Sequence, residues 1–227
     1  MDLIEILKGK LIVSCQALED EPLHGSIYMR KMALAAKEGG AAAIRANGVL
    51  DIKAIKEEVD LPIIGLIKRS YESCDVYITP TKKEIMELVE SGCEIIAMDA
   101  TNRCQITFQE LKEKVDLVHQ HGLLALADIS TYNEGLNAEK AGFDIVSTTL
   151  SGYTKYSTQS EEPDYKLVKQ LKKALKIPVI AEGRIFNDCQ LKKMLKSKPH
   201  AIIIGSSITR PKVITERFVK VIEGSKK

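Results

Sequence analysis

The chain has no apolar run long enough to cross a bilayer. Its longest uninterrupted stretches, such as Leu123-Leu124-Ala125-Leu126-Ala127, reach about five residues, against the ~18 that a span requires. The opening Met-Asp-Leu-Ile-Glu-Ile-Leu-Lys carries acids early and lacks an extended apolar core, so no signal peptide is expected and the reading is cytoplasmic. Charge of one sign is also missing. Lys and Arg number 33 against 31 Asp and Glu, a formal net of +2, so neither nucleic acid nor an anionic membrane is expected as a partner. Any anion has to be held by a local site. The five cysteines include no Cys-x-x-Cys pair and are expected to be reduced thiols, with Cys15 a packing residue rather than a nucleophile. His119 and His121 lie two apart on a helical stretch, where side chains diverge by about 200°, so no metal site is expected. Linkers, low-complexity segments and breaks in composition are absent as well, and residues 1–227 read as one domain.

What is present is alternation. Short β-branched runs at Leu11–Ala17, Ala41–Asn47, Pro62–Lys68, Glu94–Ala100, Leu123–Ser130, Ile145–Leu150, Pro178–Arg184 and Ala201–Ser207 read as strands. Amphipathic stretches at Ser26–Glu38, Asp51–Val59, Thr81–Ser91, Phe108–His121, Thr131–Ala141, Tyr165–Leu175, Asp188–Ser197 and Thr215–Glu223 read as helices. Gly39-Gly40, Gly92, Gly122 and Gly142 fall where helices should end. Pro62 and Pro178 open strands, where proline removes no ladder bond. Eight strand–helix units in this length predict an α/β (β/α)₈ TIM barrel, a parallel eight-stranded barrel with outer helices. An open doubly wound sheet would carry a glycine-rich turn after its first strand, and Ser14-Cys15-Gln16-Ala17 is not one.

A barrel of this kind works at the C-terminal ends of its strands. Those ends read Gln16, Arg45, Lys68, Asp99, Asp128, Thr148/Thr149, Glu182 and Gly205-Ser206. Strand side chains alternate, which places Lys68 above Leu66 and Ile64, Asp128 above Leu126 and Leu124, Glu182 above Ile180, and Arg45 above Ala43 and Ala41. Cys15 faces the other way, toward the helices. A ring of charges over apolar stripes is costly to desolvate and points to function. Glu182-Gly183-Arg184 and Gly205-Ser206-Ser207-Ile208-Thr209-Arg210 follow strands seven and eight, where barrels often hold phosphate; Gly183, Gly205, Ser206 and Arg210 are the candidates.

Several motifs run together with these ends: Ser-Cys-Gln-Ala-Leu (14–18), Asp-Glu-Pro-Leu-His (20–24), Gly-Gly-Ala-Ala-Ala-Ile-Arg-Ala (39–46) and Pro-Ile-Ile-Gly-Leu-Ile-Lys-Arg (62–69). Further on come Tyr-Ile-Thr-Pro-Thr (77–81), Ala-Asp-Ile-Ser-Thr (127–131), Ser-Thr-Thr-Leu-Ser-Gly-Tyr-Thr (147–154), Ile-Ala-Glu-Gly-Arg (180–184) and Ile-Thr-Arg-Pro (208–211). Over essentially its whole length the sequence resembles the bacterial N-acetylmannosamine-6-phosphate 2-epimerases of sialic acid and amino-sugar catabolism. Where that family commonly has Gly-Gly, this chain has Gly205-Ser206, which keeps the backbone N–H. The resemblance implies an isomerase that inverts C2 of a phosphorylated N-acetyl amino sugar without a cofactor, and a homodimer. It implies Lys68 as base and Glu182 as complementary acid/base. Gln16 and Arg45 would hold or polarise the carbonyl or acetamido oxygens, and Asp128 would orient substrate or Lys68. A strand-end lysine also suits Schiff-base lyase chemistry, and a non-catalytic sugar-phosphate-binding barrel is a further alternative.

Overall fold

A computed structural model of the chain describes residues 2–72 and 74–225. The apolar runs become parallel strands, each hydrogen-bonded to the next in sequence order: β1 (Leu11–Cys15), β2 (Ala43–Asn47), β3 (Ile63–Leu66), β4 (Ile95–Asp99), β5 (Leu124–Asp128), β6 (Ile145–Ser147), β7 (Val179–Glu182) and β8 (Ala201–Ile204). Pairing of β8 with β1 closes the barrel, so the architecture is the predicted (β/α)₈ form. Around it run α2 (Ser26–Glu38), α3 (Val49–Glu58), α4 (Lys82–Val89), α5 (Phe108–Gln120), α6 (Tyr132–Ala141), α7 (Tyr165–Ala174) and α8 (Asp188–Leu195). Three of these helices start on a Thr-x-x-Glu capping box, Thr81/Glu84, Thr107/Glu110 and Thr131/Glu134, in which side chain and backbone satisfy each other's free donors.

Alternation along the strands sorts the apolar residues into two layers. Ile12, Ala43, Ile64, Leu66, Ile95, Ala97, Leu126, Ile180 and Ile203 fill the barrel, while Val13, Ile44, Ile63, Ile96, Ala125 and Val179 face the helices. The stripes under Lys68, Asp128 and Glu182 are therefore as expected. Ala41 is an exception: β2 begins at Ala43, and Ala41 packs in the outer layer. Cys15 also lies outward and fully buried, and burial pushes its thiol up to about 12, which suits packing and not nucleophilic attack.

Other differences are local. Most strands stop short of the predicted ends because apolar residues continue into loops after the ladder has finished. Ser206 and Ser207, read as strand, instead open a one-turn helix, α9 (Ser206–Thr209), after Gly205 turns the chain. The last helix, α10 (Pro211–Gly224), starts earlier than the sequence suggested, with proline in its first turn where a missing N–H costs nothing. An unpredicted helix, α1 (Leu3–Leu7), stoppers the N-terminal end of the barrel. Leu7 is wholly buried in the inner layer with Leu3 and Ile4 against it, and His200 Nε2 lies 2.8 Å from the Ile4 carbonyl. The expectation of five reduced thiols is corrected: Cys74 and Cys104 form a disulfide, bringing together the loops that follow β3 and β4. Cys15, Cys93 and Cys189 are free. Among the described residues no helix is long and apolar enough to cross a membrane, and no group of three His, Cys, Asp or Glu side chains is placed to hold a metal ion.

Candidate active site

At the C-terminal mouth a cavity of about 270 Å³ opens between the ends of β1, β2, β7 and β8 and the loop after β3. Lys68 reaches it from that loop, just beyond β3. The loop doubles back as a short antiparallel arm in which Lys68 pairs with Ile78 and the Arg69 amide donates to the Tyr77 carbonyl at 2.9 Å. A second tie fixes its base: the Lys68 amide donates to Asn47 Oδ1 at 2.8 Å. The Lys68 amine itself forms no hydrogen bond with another described residue. Burial, reinforced by the positive charge of Arg45, lowers its pKa from 10.5 to about 8.

Glu182, the last residue of β7, faces the same cavity. Its Oε2 accepts from Arg45 Nη1 at 2.7 Å and from the Thr149 hydroxyl at 2.8 Å. Burial raises its pKa and the nearby Asp128 charge adds to the rise, against the pull of Arg45. A lysine pushed toward neutrality and a glutamate pushed toward protonation thus line one cavity. Pairs with pKa values displaced in this way are the usual mark of acid/base work.

Arg45 extends across the barrel from the middle of β2. Its side chain is 1% exposed and clamps Asp128, at the end of β5, with two bonds: Nη2 to Oδ2 at 2.5 Å and Nη1 to Oδ1 at 3.0 Å. Burial opposes the guanidinium's charge, but Asp128 and Glu182 outweigh that and hold it firmly protonated. Asp128 is wholly buried, its carboxylate held by Arg45 and facing the Thr149 hydroxyl. Gln16 lines the wall, donating from Nε2 to Ser14 Oγ at 2.8 Å and leaving its own Oε1 buried without a partner. Of the Thr148/Thr149 pair, only Thr149 faces the cavity. The Thr148 hydroxyl is spent on the Glu182 backbone carbonyl at 3.0 Å.

Gly183, Gly205, Ser206 and Arg210 all line the same cavity. Gly183 takes φ +111, a conformation open to glycine, and turns the chain away from Glu182. At Gly205 a Cβ would lie 3.1 Å from that of Ser14, so the close seam between β8 and β1 favours glycine there. Ser207 ties the two loops together by donating to the Ile185 carbonyl at 2.8 Å. Arg210 is steadied by Glu21, its Nε donating to Oε2 at 2.8 Å. Burial works against the charge on Glu21, but bonds from Arg210 and the Leu18 amide outweigh it and hold the carboxyl below its ordinary range.

Glu21, Tyr77 and Arg184 are among the lining residues with no role assigned from the sequence, which marks Thr149 only as half of a strand-end pair. Arg184 carried a signal, standing two residues past Glu182 in the strand-seven motif. Its Nε donates to the Glu162 carbonyl at 3.0 Å and its guanidinium lies 5.8 Å from the Tyr153 ring centroid. Glu21 and Tyr77 come from loops, where strand-end reading has no purchase. The wall therefore carries four basic side chains (Arg45, Lys68, Arg184, Arg210) against two acidic ones (Glu21, Glu182), a balance that suits an anionic ligand.

Fold and site together define a (β/α)₈-barrel protein with a lysine and a glutamate facing one arginine-lined cavity at its mouth. Residues 29–224 match the model of the NanE family, described as "Putative N-acetylmannosamine-6-phosphate epimerase", and the chain belongs to that family. A relative of the same description from Clostridium perfringens is 55% identical over 221 residues, covering 97% of this chain and all of the relative. Another, from Staphylococcus aureus, is 50% identical over 223 residues, covering 96% and 100%. The solved structure of the N-acetylmannosamine-6-phosphate 2-epimerase from C. perfringens superposes with a TM-score of 0.94 at 54% identity, over 97% of this chain and 96% of that one.

Proposed function

We propose that this protein interconverts N-acetylmannosamine 6-phosphate and N-acetylglucosamine 6-phosphate by removing and returning the proton at C2. The observation that carries the reading is the opposed pair: Lys68, drawn toward the neutral amine and free of internal bonds, faces one cavity with Glu182, drawn toward the acid. In the open-chain sugar C2 adjoins the C1 aldehyde, so its proton is acidic enough to leave as an enediolate forms. Neutral Lys68 takes that proton. Glu182 assists ring opening and serves as the complementary acid/base. Arg45 lies beside Glu182 to stabilise charge on the developing oxyanion, and Gln16 supplies an amide to the carbonyl or acetamido oxygen. The phosphate lies at the Gly183, Gly205, Ser206 and Arg210 end, with Arg184 as an added clamp. The substrate's own carbonyl serves as electron sink, so the chemistry calls for no cofactor.

The same reading places the protein in the cytoplasm, in sialic acid and amino-sugar breakdown, as one barrel domain over residues 1–227 with no nucleic acid partner. A homodimer fits α10. None of its residues is buried, and Phe218, Val219, Val221 and Ile222 are 43–64% exposed, an apolar face that a second copy of the chain would cover.

Proton NMR of the reaction in deuterium oxide tests the proposal. Conversion of one 2-epimer to the other, with deuterium entering at C2 and no added cofactor, is the expected result. Strict dependence on a nicotinamide, or trapping of a covalent adduct by borohydride, would overturn it, the latter in favour of a lyase.

A further inference from the structure

Thr149 stands between the two carboxylates of the site. Its Oγ1 lies 2.6 Å from Asp128 Oδ1 and 2.8 Å from Glu182 Oε2, and it accepts from Arg45 Nη1 at 3.2 Å. Ser147, two residues back on the same face, has its Oγ 2.8 Å from Thr149 Oγ1 and 3.5 Å from Glu182 Oε2. A hydroxyl has one proton to give. Two carboxylate oxygens are within reach of it, and only one can hold it at a time.

The two contenders are unequal. Asp128 already receives two bonds from Arg45 and stays satisfied when the hydroxyl turns away. Glu182 receives one from Arg45 and the longer contact from Ser147. Arg45 Nη1 cannot make up the difference, because its two hydrogens already face three acceptors: Asp128 Oδ1, Thr149 Oγ1 and Glu182 Oε2. When Glu182 carries a proton on Oε2, that O–H points at the threonine oxygen and the threonine's own proton turns to Asp128. When Glu182 is ionised, the threonine proton turns back to it. Thr149 keeps its own proton throughout; the proton exchanged is that of Glu182, and one hydroxyl rotates.

We propose that Thr149 is a positioning residue for the acid/base group, its hydroxyl turning between Asp128 and Glu182 as Glu182 gains and loses a proton. This rests on the reading of Glu182 as an acid/base group. The bond from Thr149 works against the upward push of burial on the Glu182 pKa, so its loss favours the protonated acid.

The test compares wild type, Thr149→Val and Thr149→Ser by epimerisation kinetics across pH. Valine keeps the shape and removes the hydroxyl. Thr149→Val is expected to lower kcat about tenfold, to leave KM within about twofold, and to move the alkaline limb of kcat/KM, where Glu182 gives up its proton, upward by about one pH unit. Thr149→Ser restores both. A Thr149→Val enzyme with the wild-type rate and limb overturns the proposal, as does a serine variant no better than valine. If valine prevents folding, as read by the thermal midpoint, Thr149→Ala against Thr149→Ser makes the same comparison. Glu182→Gln separates the two levels. An active Glu182→Gln enzyme removes the underlying reading, whereas an inactive one beside a normal Thr149→Val enzyme removes only the role of Thr149.

Discussion

Arg45 and Asp128 meet end-on beneath the cavity floor, two parallel N–H···O bonds at 2.5 and 3.0 Å joining side chains that are 1% and 0% exposed. Arg45 stands in the middle of β2 and Asp128 at the end of β5, three strands further round the barrel, so the pair braces the mouth as well as charging it. Removing one member of a buried pair strands the other, at a typical cost of 3–5 kcal/mol. Because Arg45 keeps Glu182, we expect Asp128→Asn to lose about 3 kcal/mol in urea unfolding and to lower kcat through a misaimed Arg45. An unchanged midpoint would mean that Glu182 alone satisfies the guanidinium.

Lys68→Met should abolish epimerisation and stabilise the fold. The base contributes ~10²–10⁴ in rate, so a variant retaining more than about a tenth of the wild-type rate would remove Lys68 from its role. For stability the sign follows from its pKa of about 8 in the folded chain against an ordinary value of 10.5. Between those values the unfolded chain binds the extra proton, so wild-type stability rises with pH from about 8 toward 10.5; below pH 8 the full penalty of the buried charge is present. Thermal midpoints should show the variant ahead of wild type at pH 7, by on the order of 2 kcal/mol, with the gap closing by pH 10. One limb of the wild-type kcat/KM profile should break near pH 8, and a flat profile from pH 7 to 9 would count against this assignment.

At the anion end, Arg184→Ala and Arg210→Ala should each raise KM for the phosphorylated sugar roughly tenfold or more, as loss of a charge-assisted bond implies. Unphosphorylated N-acetylmannosamine should turn over poorly in kcat as well as KM, since binding energy remote from C2 orients the reacting centre. Its slow turnover should be indifferent to both substitutions. Equal use of the two sugars would show that the loops after β7 and β8 hold something other than phosphate.

The disulfide can be counted chemically. Thiol titration of the denatured, unreduced chain should find three groups, Cys15, Cys93 and Cys189, and five after reduction. Cys74→Ser with Cys104→Ser should destabilise the protein by about 3–4 kcal/mol, the loop-closure value for a bridge spanning 30 residues. Five reactive thiols before reduction would contradict the bridge.

Much of this architecture was legible because it rests on short-range pattern. The period-two alternation at Ile64-Leu66-Lys68 and Leu124-Leu126-Asp128 is a local property, and it placed both charged residues over the barrel interior. The disulfide was not legible. Cys74 and Cys104 lie 30 residues apart on different loops, and only closure of β3 beside β4 brings those loops together. Asp128 was located but its bond to Arg45 was not legible, because a strand end fixes a side chain's height and face and says nothing of which partner reaches across the barrel. Thr149 was seen as half of a pair. Its weight became visible only when Asp128 and Glu182 were found on either side of it. The α10 start at Pro211 was within reach of the sequence, since proline in a helix's first turn is itself a start signal.

The stopper helix α1 closes one end of the barrel, and among the described residues the site cavity opens at the other. A sugar, its product and water would then share the rim above Lys68 and Glu182, with Leu7 buried at the opposite end. A sugar seated in that mouth would stand between the hydrogens on those two groups and bulk solvent, so their renewal would depend on water passing it or on its departure. The proportion of solvent hydrogen fixed at C2 per conversion therefore works as a clock, timing how long the bound sugar stays against how fast water slips by. Loosening the rim without touching either group should make that clock run fast.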